Sequence, residues 1–140
     1  MIVIDCSSLV HFLLDHGKTG SAVRERVGRA GTLTAPSLLD YEITSAVFGL
    51  ARGRRGGKPK ITEKEAAKAI IDYQALNLDL HPTLVLWQRV RDLSNNLSAY
   101  DAHYVALAES FGVPLITSDA RIERSGATRC TIETFEAPAT

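Results

Sequence analysis

The sequence has no long apolar run, no surplus of charge and no set of paired cysteines, and each absence excludes a class of protein. Its apolar stretches are only a few residues long, and Asp5 falls where a signal peptide would need its apolar region, so we expect neither a membrane span nor export. The 16 basic and 16 acidic residues give zero net charge, so binding to nucleic acid has to be local. Cys6 and Cys130 have no metal-ligand spacing, which predicts two buried thiols in a reducing cytoplasm.

The chain does have enough apolar sequence for one globular domain. Its 140 residues are 45% hydrophobic and 23% charged, which predicts a single domain over residues 1–140. Residues 52–60 form the one dense basic run, and their glycines and proline favour a solvated loop over a phosphate-contacting patch. The candidate phosphate contacts in this run are Arg52, Arg54, Arg55 and Lys58.

Strands and helices are predicted to alternate along the chain. Short apolar or β-branched runs predict strands at 2–4, 32–35, 78–80, 114–117 and 128–132. Helical spacing predicts helices at 9–14, 21–27, 37–50, 62–76, 82–93 and 98–111. Ser7 or Ser8 is expected to cap the first helix, Gly112 to end the last, and capping boxes to open those at 37, 62 and 98.

This alternation predicts an α/β fold, a three-layer α/β/α sandwich with a mainly parallel central sheet. In such sheets the working crevice lies beyond the carboxyl ends of the strands, where the topology switches direction. The residues expected at that edge are therefore the candidates for function.

Acidic residues lie at that edge. Asp5 follows the first strand, Glu42 lies near the start of the helix after the second, Asp101 opens a helix, and Asp119 follows the strand at 114–117. Converging carboxylates would raise one another's pKa unless a cation compensated them, and oxygen-only ligands favour Mg²⁺ or Mn²⁺, which suit phosphodiester hydrolysis. A structural alternative stays open, because acids also stabilise helix starts and Asp101 fits a plain capping box.

Three segments of the chain carry distinctive short motifs: IVIDCSSLV at 2–10, SAYDAHYVALAE at 98–109 and PLITSD at 114–119. In residues, order and spacing they resemble the hallmark motifs of PIN-domain proteins, and most closely those of the VapC toxins of toxin–antitoxin pairs. The resemblance implies a PIN-like sandwich, Mg²⁺ or Mn²⁺ dependence and endonucleolytic cleavage of RNA. It also implies a VapB-like antitoxin that blocks the site, and a homodimer.

The resemblance also implies roles for single residues. It makes Asp5, Glu42, Asp101 and Asp119 the catalytic and metal-binding acids. Ser7 and Thr117 become supporting residues, with an N-cap and an ordinary strand residue as their alternatives. His103 departs from the family pattern, and we interpret it as an exposed or core-edge helix residue rather than a substrate contact.

The predicted function is therefore a cytoplasmic, metal-dependent endoribonuclease acting as the toxin of a type II toxin–antitoxin pair. One alternative is a PIN-like RNA-processing nuclease that is not a toxin, and another is a non-catalytic domain that binds nucleic acid or protein. A phosphotransfer domain is a weaker alternative, since no second Asp stands two residues after Asp5 and no lysine follows the last apolar strands.

Overall fold

The computed structural model describes residues 1–136, in which five strands form one sheet. The strand order is β3-β2-β1-β4-β5, and every pairing is parallel. The strands are β1 (Ile2–Ile4), β2 (Leu33–Pro36), β3 (Leu78–His81), β4 (Leu115–Thr117) and β5 (Ile132–Thr134). All residues of β1, β2 and β4 are buried, as expected for central strands covered on both faces.

Helices connect these strands on both faces of the sheet. They are α1 (Cys6–Leu14), α2 (Lys18–Arg29), α3 (Leu39–Arg52), α4 (Glu63–Ala75), α5 (Trp87–Leu93), α6 (Ala99–Phe111) and α7 (Ala120–Arg124), with a 3₁₀ turn at Leu84–Leu86. The steps from β1 to β3 run one way from the centre and the later steps run the other way, so right-handed crossovers put α1–α4 on one face and α5–α7 on the opposite face. Contacts of α1 with α2, α3 and α4, and of α5 with α6, agree with this placement. The predicted three-layer α/β/α sandwich is confirmed.

Several predicted boundaries were wrong. Helix α1 begins at Cys6, three residues earlier than predicted, because the Asp5 side chain caps it by accepting the Ser8 N–H. The predicted capping box at 37–40 is absent: α3 begins at Leu39 without a side-chain cap. Pro36 belongs to β2, which it can do because it lies beyond the part of β2 that pairs with β1.

The end of the described chain also differs from the prediction. The last strand lies at Ile132–Thr134 rather than 128–132, because its register is set by pairing with β4. Helix α7 was missed, since five residues are too short for a periodic signal. The capping box at Thr62 and the left-handed Gly112 at the end of α6 are confirmed. Within residues 1–136 no helix is both long and apolar enough to cross a bilayer.

Candidate active site

All four predicted acids line one cavity of about 780 Å³ at the carboxyl ends of the central strands. Asp5 is the N-cap of α1, Glu42 and Asp101 lie in the first turns of α3 and α6, and Asp119 is the N-cap of α7. The cavity lies where the strand order reverses between β1 and β4, which is where α/β sheets place their ligands. The capping alternative and the site hypothesis are compatible, since the same helix starts present the acids to the cavity.

Asp5 is the most buried of these acids, with 4% of its surface exposed. Its Oδ1 accepts hydrogen bonds from Ser7 Oγ at 2.7 Å and from the Ser8 N–H at 3.0 Å, and its Oδ2 accepts one from Thr117 Oγ1 at 2.5 Å. Burial raises the pKa of Asp5 to about 6 in spite of these donors, and the charge of Asp101 adds to the rise. A nearby cation would therefore stabilise the charged form of this buried carboxylate more than that of an exposed one.

Ser7 and Thr117 join the end of β1 to the end of β4 around Asp5. Ser7 Oγ accepts the Ser118 N–H at 2.9 Å, and Thr117 Oγ1 accepts the Asp119 N–H at 3.0 Å. Ser7 therefore is not the N-cap of α1, and Thr117 is more than an ordinary strand residue. Both hydroxyls fix the orientation of the Asp5 carboxylate.

Glu42 is held by a residue that the sequence analysis did not single out. Tyr104, on the buried face of α6 and only 1% exposed, donates its hydroxyl to Glu42 Oε1 at 2.7 Å. Burial raises the pKa of Glu42, and burial together with the Glu42 carboxylate raises the pKa of Tyr104, so the phenol stays protonated. The only signal for this pair in the sequence is a polar aromatic residue among the apolar residues of α6.

Asp101 and Asp119 have opposite electrostatic environments. Burial raises the pKa of Asp101, and the neighbouring Asp119 charge raises it further. Asp119 instead forms an ion pair with Arg121, which lowers the Asp119 pKa. Asp5, Glu42 and Asp101 thus have raised pKa values, whereas Asp119 already has a positive partner.

The family model of the PIN domain matches residues 2–127 of this chain. The chain belongs to the PIN domain family. A relative of this PIN domain is ribonuclease VapC9 of Mycobacterium tuberculosis, which is 34% identical over 132 residues covering 94% of this chain and 96% of the relative.

Solved structures share the fold of this PIN domain. VapC20 of Mycobacterium tuberculosis, a toxin that cleaves the sarcin–ricin loop, superposes with a TM-score of 0.65 at 12% identity, over 90% of this chain and 95% of that one. VapBC2 of Rickettsia felis, bound to a DNA fragment from its promoter, superposes with a TM-score of 0.63 at 15% identity, over 97% of this chain and all (100%) of that one.

The donor chemistry of the PIN domain cavity fits a hard divalent cation. Its four acids offer only oxygen, and burial with nearby carboxylates raises the pKa of the adjacent Cys6 to about 12, so the thiol stays neutral and is a poor ligand. Within residues 1–136 no three His, Cys, Asp or Glu side chains are grouped tightly enough to enclose an ion directly. An ion that keeps several waters and takes a few carboxylates, as Mg²⁺ does, matches such a site.

The basic run contributes some of its predicted residues to the cavity. Arg54 and Lys58 line it, together with Lys60, which was not among the predicted phosphate contacts. Arg52 does not line it, and its guanidinium lies 5.8 Å from the centre of the Phe48 ring. Arg55 is exposed and also outside the lining.

The basic run folds back on α3. Arg54 donates a hydrogen bond to the Ser45 carbonyl, and the Lys60 N–H donates one to the Leu50 carbonyl.

Of the other residues considered in the sequence, His103 and Cys130 lie outside the cavity lining, and Cys6 lines it without being a suitable ligand. His103 contacts Thr83 Oγ1 at 2.8 Å at the edge of the core, and burial lowers its pKa, so the core-edge interpretation is confirmed. Cys6 and Cys130 are both free thiols as predicted, but they are half-buried rather than fully buried.

Proposed function

We propose that this chain is a divalent-metal-dependent endoribonuclease that hydrolyses RNA phosphodiester bonds in the four-acid cavity. The observation that carries the proposal is the convergence of Asp5, Glu42, Asp101 and Asp119 on that cavity. The relative at 34% identity, matched over 96% of its length, is a ribonuclease. By analogy with VapC9 and the VapC20 toxin, the chain acts as the toxin of a type II toxin–antitoxin pair.

Asp5, Asp101 and Glu42 would hold one or two Mg²⁺ or Mn²⁺ ions, directly or through water. When bound, such an ion lowers the pKa of a water and stabilises negative charge on phosphate oxygens. Asp119 completes the acidic set or orients the attacking water. Ser7 and Thr117 keep Asp5 in place, as the hydrogen bonds to both of its oxygens support.

The substrate is held by local positive charge. Arg54, Lys58 and Lys60 line the cavity that contains the acids, and basic side chains of this kind bind the backbone phosphates of RNA without reading its sequence. Hydrolysis by activated water needs no ribose hydroxyl, so the preference for RNA rests on the relatives.

The proposal extends to the protein's setting. We infer a single functional domain over residues 1–140 in the cytoplasm, a VapB-like antitoxin that covers the acidic cavity, and a homodimer. The full-length match to VapC9 supports the single domain, and the likeness to VapBC2 supports an antitoxin partner.

The proposed function is tested with end-labelled RNA and a DNA strand of the same sequence. Purified protein is incubated with Mg²⁺ or Mn²⁺, with chelator, and with chelator followed by excess Mn²⁺. We expect internal RNA fragments only when the ion is present, and their return when Mn²⁺ is restored. Cleavage that persists in chelator contradicts the metal dependence, and RNA binding without any cleavage supports a non-catalytic binding domain.

Removing positive charge from the cavity wall should weaken RNA binding. We expect Arg54→Gln and Lys58→Gln each to raise the KM for RNA by about 3-fold to 10-fold with little change in kcat. Each should also reduce the slope of log affinity against log salt concentration by about one, since one fewer counterion is released on binding. Arg52→Gln is the matched control, since Arg52 lies in the same run but outside the cavity lining. An equal effect of Arg52→Gln would show that the run acts only through its total charge.

Tyr104→Phe should separate the positioning of Glu42 from general stability. Losing the 2.7 Å bond to Glu42 should lower the cleavage rate by about 10-fold to 100-fold, and the free energy of unfolding by about 1–3 kcal/mol.

Tyr73→Phe is the matched control for Tyr104→Phe. Tyr73 is 9% exposed and donates to Asp40 at 2.6 Å, away from the cavity. It should therefore lose a similar amount of stability without a change in cleavage. Equal activity losses in the two variants, measured beside their denaturation curves, would contradict a positioning role for Tyr104.

A further inference from the structure

Arg121 is the one residue of α7 that lines the acidic cavity. It forms a bidentate ion pair with Asp119. Arg121 Nε lies 2.9 Å from Asp119 Oδ1, and Nη2 lies 2.7 Å from Oδ2. The Arg121 backbone N–H also donates to Oδ1 at 3.0 Å. Both Asp119 oxygens are therefore occupied by a cation that belongs to the chain itself.

This ion pair is easily exchanged. The Arg121 side chain is 78% exposed, and the contacts that hold it at the cavity are those to Asp119. An ion pair this exposed contributes little to stability, so separating it needs little free energy. By contrast, Asp5 and Glu42 are held by neutral hydroxyl groups from the protein interior.

The two charged groups of the pair each have another suitable partner in an RNA-cleaving site. A guanidinium fork fits two phosphate oxygens as well as it fits two carboxylate oxygens. Asp119, for its part, cannot offer an ion or a water the lone pairs that accept hydrogen bonds from Arg121. Binding of an ion and binding of a phosphate therefore both favour opening of the pair.

We propose that Arg121 is a phosphate-binding residue that rests on Asp119 and transfers to the RNA backbone when Asp119 turns to the ion. This rests on the function proposed above. Removal of Arg121 then has two effects of opposite sign. The site binds Mn²⁺ more tightly because Asp119 is free, and it binds RNA more weakly because a phosphate ligand is gone.

The experiment compares Arg121→Gln with Arg124→Gln, which removes an exposed positive charge from the same helix but outside the cavity lining. Mn²⁺ affinity is measured on the RNA-free protein by the loss of the free-ion paramagnetic resonance signal. The KM for RNA is measured at saturating Mn²⁺. For Arg121→Gln we expect the Kd for Mn²⁺ to fall by about 3-fold to 10-fold and the KM to rise by about the same factor.

Two outcomes overturn the proposal. If Arg124→Gln tightens Mn²⁺ binding equally, the effect is one of net charge and not of the ion pair. If Arg121→Gln leaves the Mn²⁺ affinity or the KM unchanged, Arg121 is only a surface partner of Asp119. A wild-type protein that binds Mn²⁺ but cuts no RNA is a different failure, because it contradicts the proposed function and not the exchange.

Discussion

Replacing Asp101 with Asn is expected to lower the RNA cleavage rate by on the order of a thousandfold, because it removes several kcal/mol of charge stabilisation at the centre of the site. Asp101 is the acid most coupled to the others. Its charge raises the pKa of both Asp5 and Glu42, and the charge of Asp119 raises its own. Replacing Asp101 therefore removes a charge that acts on two of the other three acids.

The fold should survive this change. The cap of α6 uses the Asp101 backbone N–H, which donates to Ser98 Oγ at 3.1 Å, and the variant keeps that group. Asp92→Asn is the matched control, since Asp92 is exposed on α5 and outside the cavity. Initial rates on end-labelled RNA are compared at equal circular dichroism and equal melting temperature. An Asp101→Asn protein that keeps more than about a tenth of the activity would contradict the assigned role.

Asp5→Asn is expected to abolish cleavage and, in chelator at pH 7, to stabilise the protein by about 1–3 kcal/mol. The pKa of Asp5 rises from an ordinary 3.8 to about 6 on folding, so the folded state binds this proton more tightly than the unfolded state does. The loss of stability that comes from ionising the buried Asp5 is absent below about pH 3.8, grows between about pH 3.8 and about pH 6, and is complete above about pH 6. Asparagine keeps the size of the side chain and an acceptor for Ser7 and Ser8.

Denaturation of both proteins in chelator at pH 4 and pH 7 measures this effect. The variant should gain stability over the wild type only at the higher pH, and Mn²⁺ should stabilise the wild type more than the variant. Asp15→Asn is a control of opposite sign, because hydrogen bonds from Gly17 and His11 lower the Asp15 pKa, and neutralising it should destabilise the fold at pH 7. An Asp5→Asn protein less stable than the wild type at pH 7 in chelator would contradict the inference that the buried Asp5 charge destabilises the metal-free fold.

The sequence predicted the parts of the site that lie next to strands in the chain. Asp5 and Asp119 each follow a short buried strand, and the parallel arrangement of those strands brings them to one edge. Local patterns also predicted most helices, although helix α7 is too short to show a period.

The partners of the acids could not be predicted in this way. Tyr104 meets Glu42 from 62 positions away, and Thr117 meets Asp5 from 112 positions away. Such contacts depend on how α3 and α6 pack and on the register of β1 with β4, which no local pattern reports. Arg121 is different, since it stands two residues after Asp119, but only the geometry shows that the two side chains pair.

The four-acid metal site is tested by a Mn²⁺ titration of the wild-type protein followed by paramagnetic resonance, beside Asp5→Asn and Asp101→Asn. We expect saturable binding of one or two ions to the wild type, weakened about tenfold or more in each variant. Wild-type protein that shows no saturable binding, or that binds Mn²⁺ no better than the two variants, would contradict a metal site built from these acids.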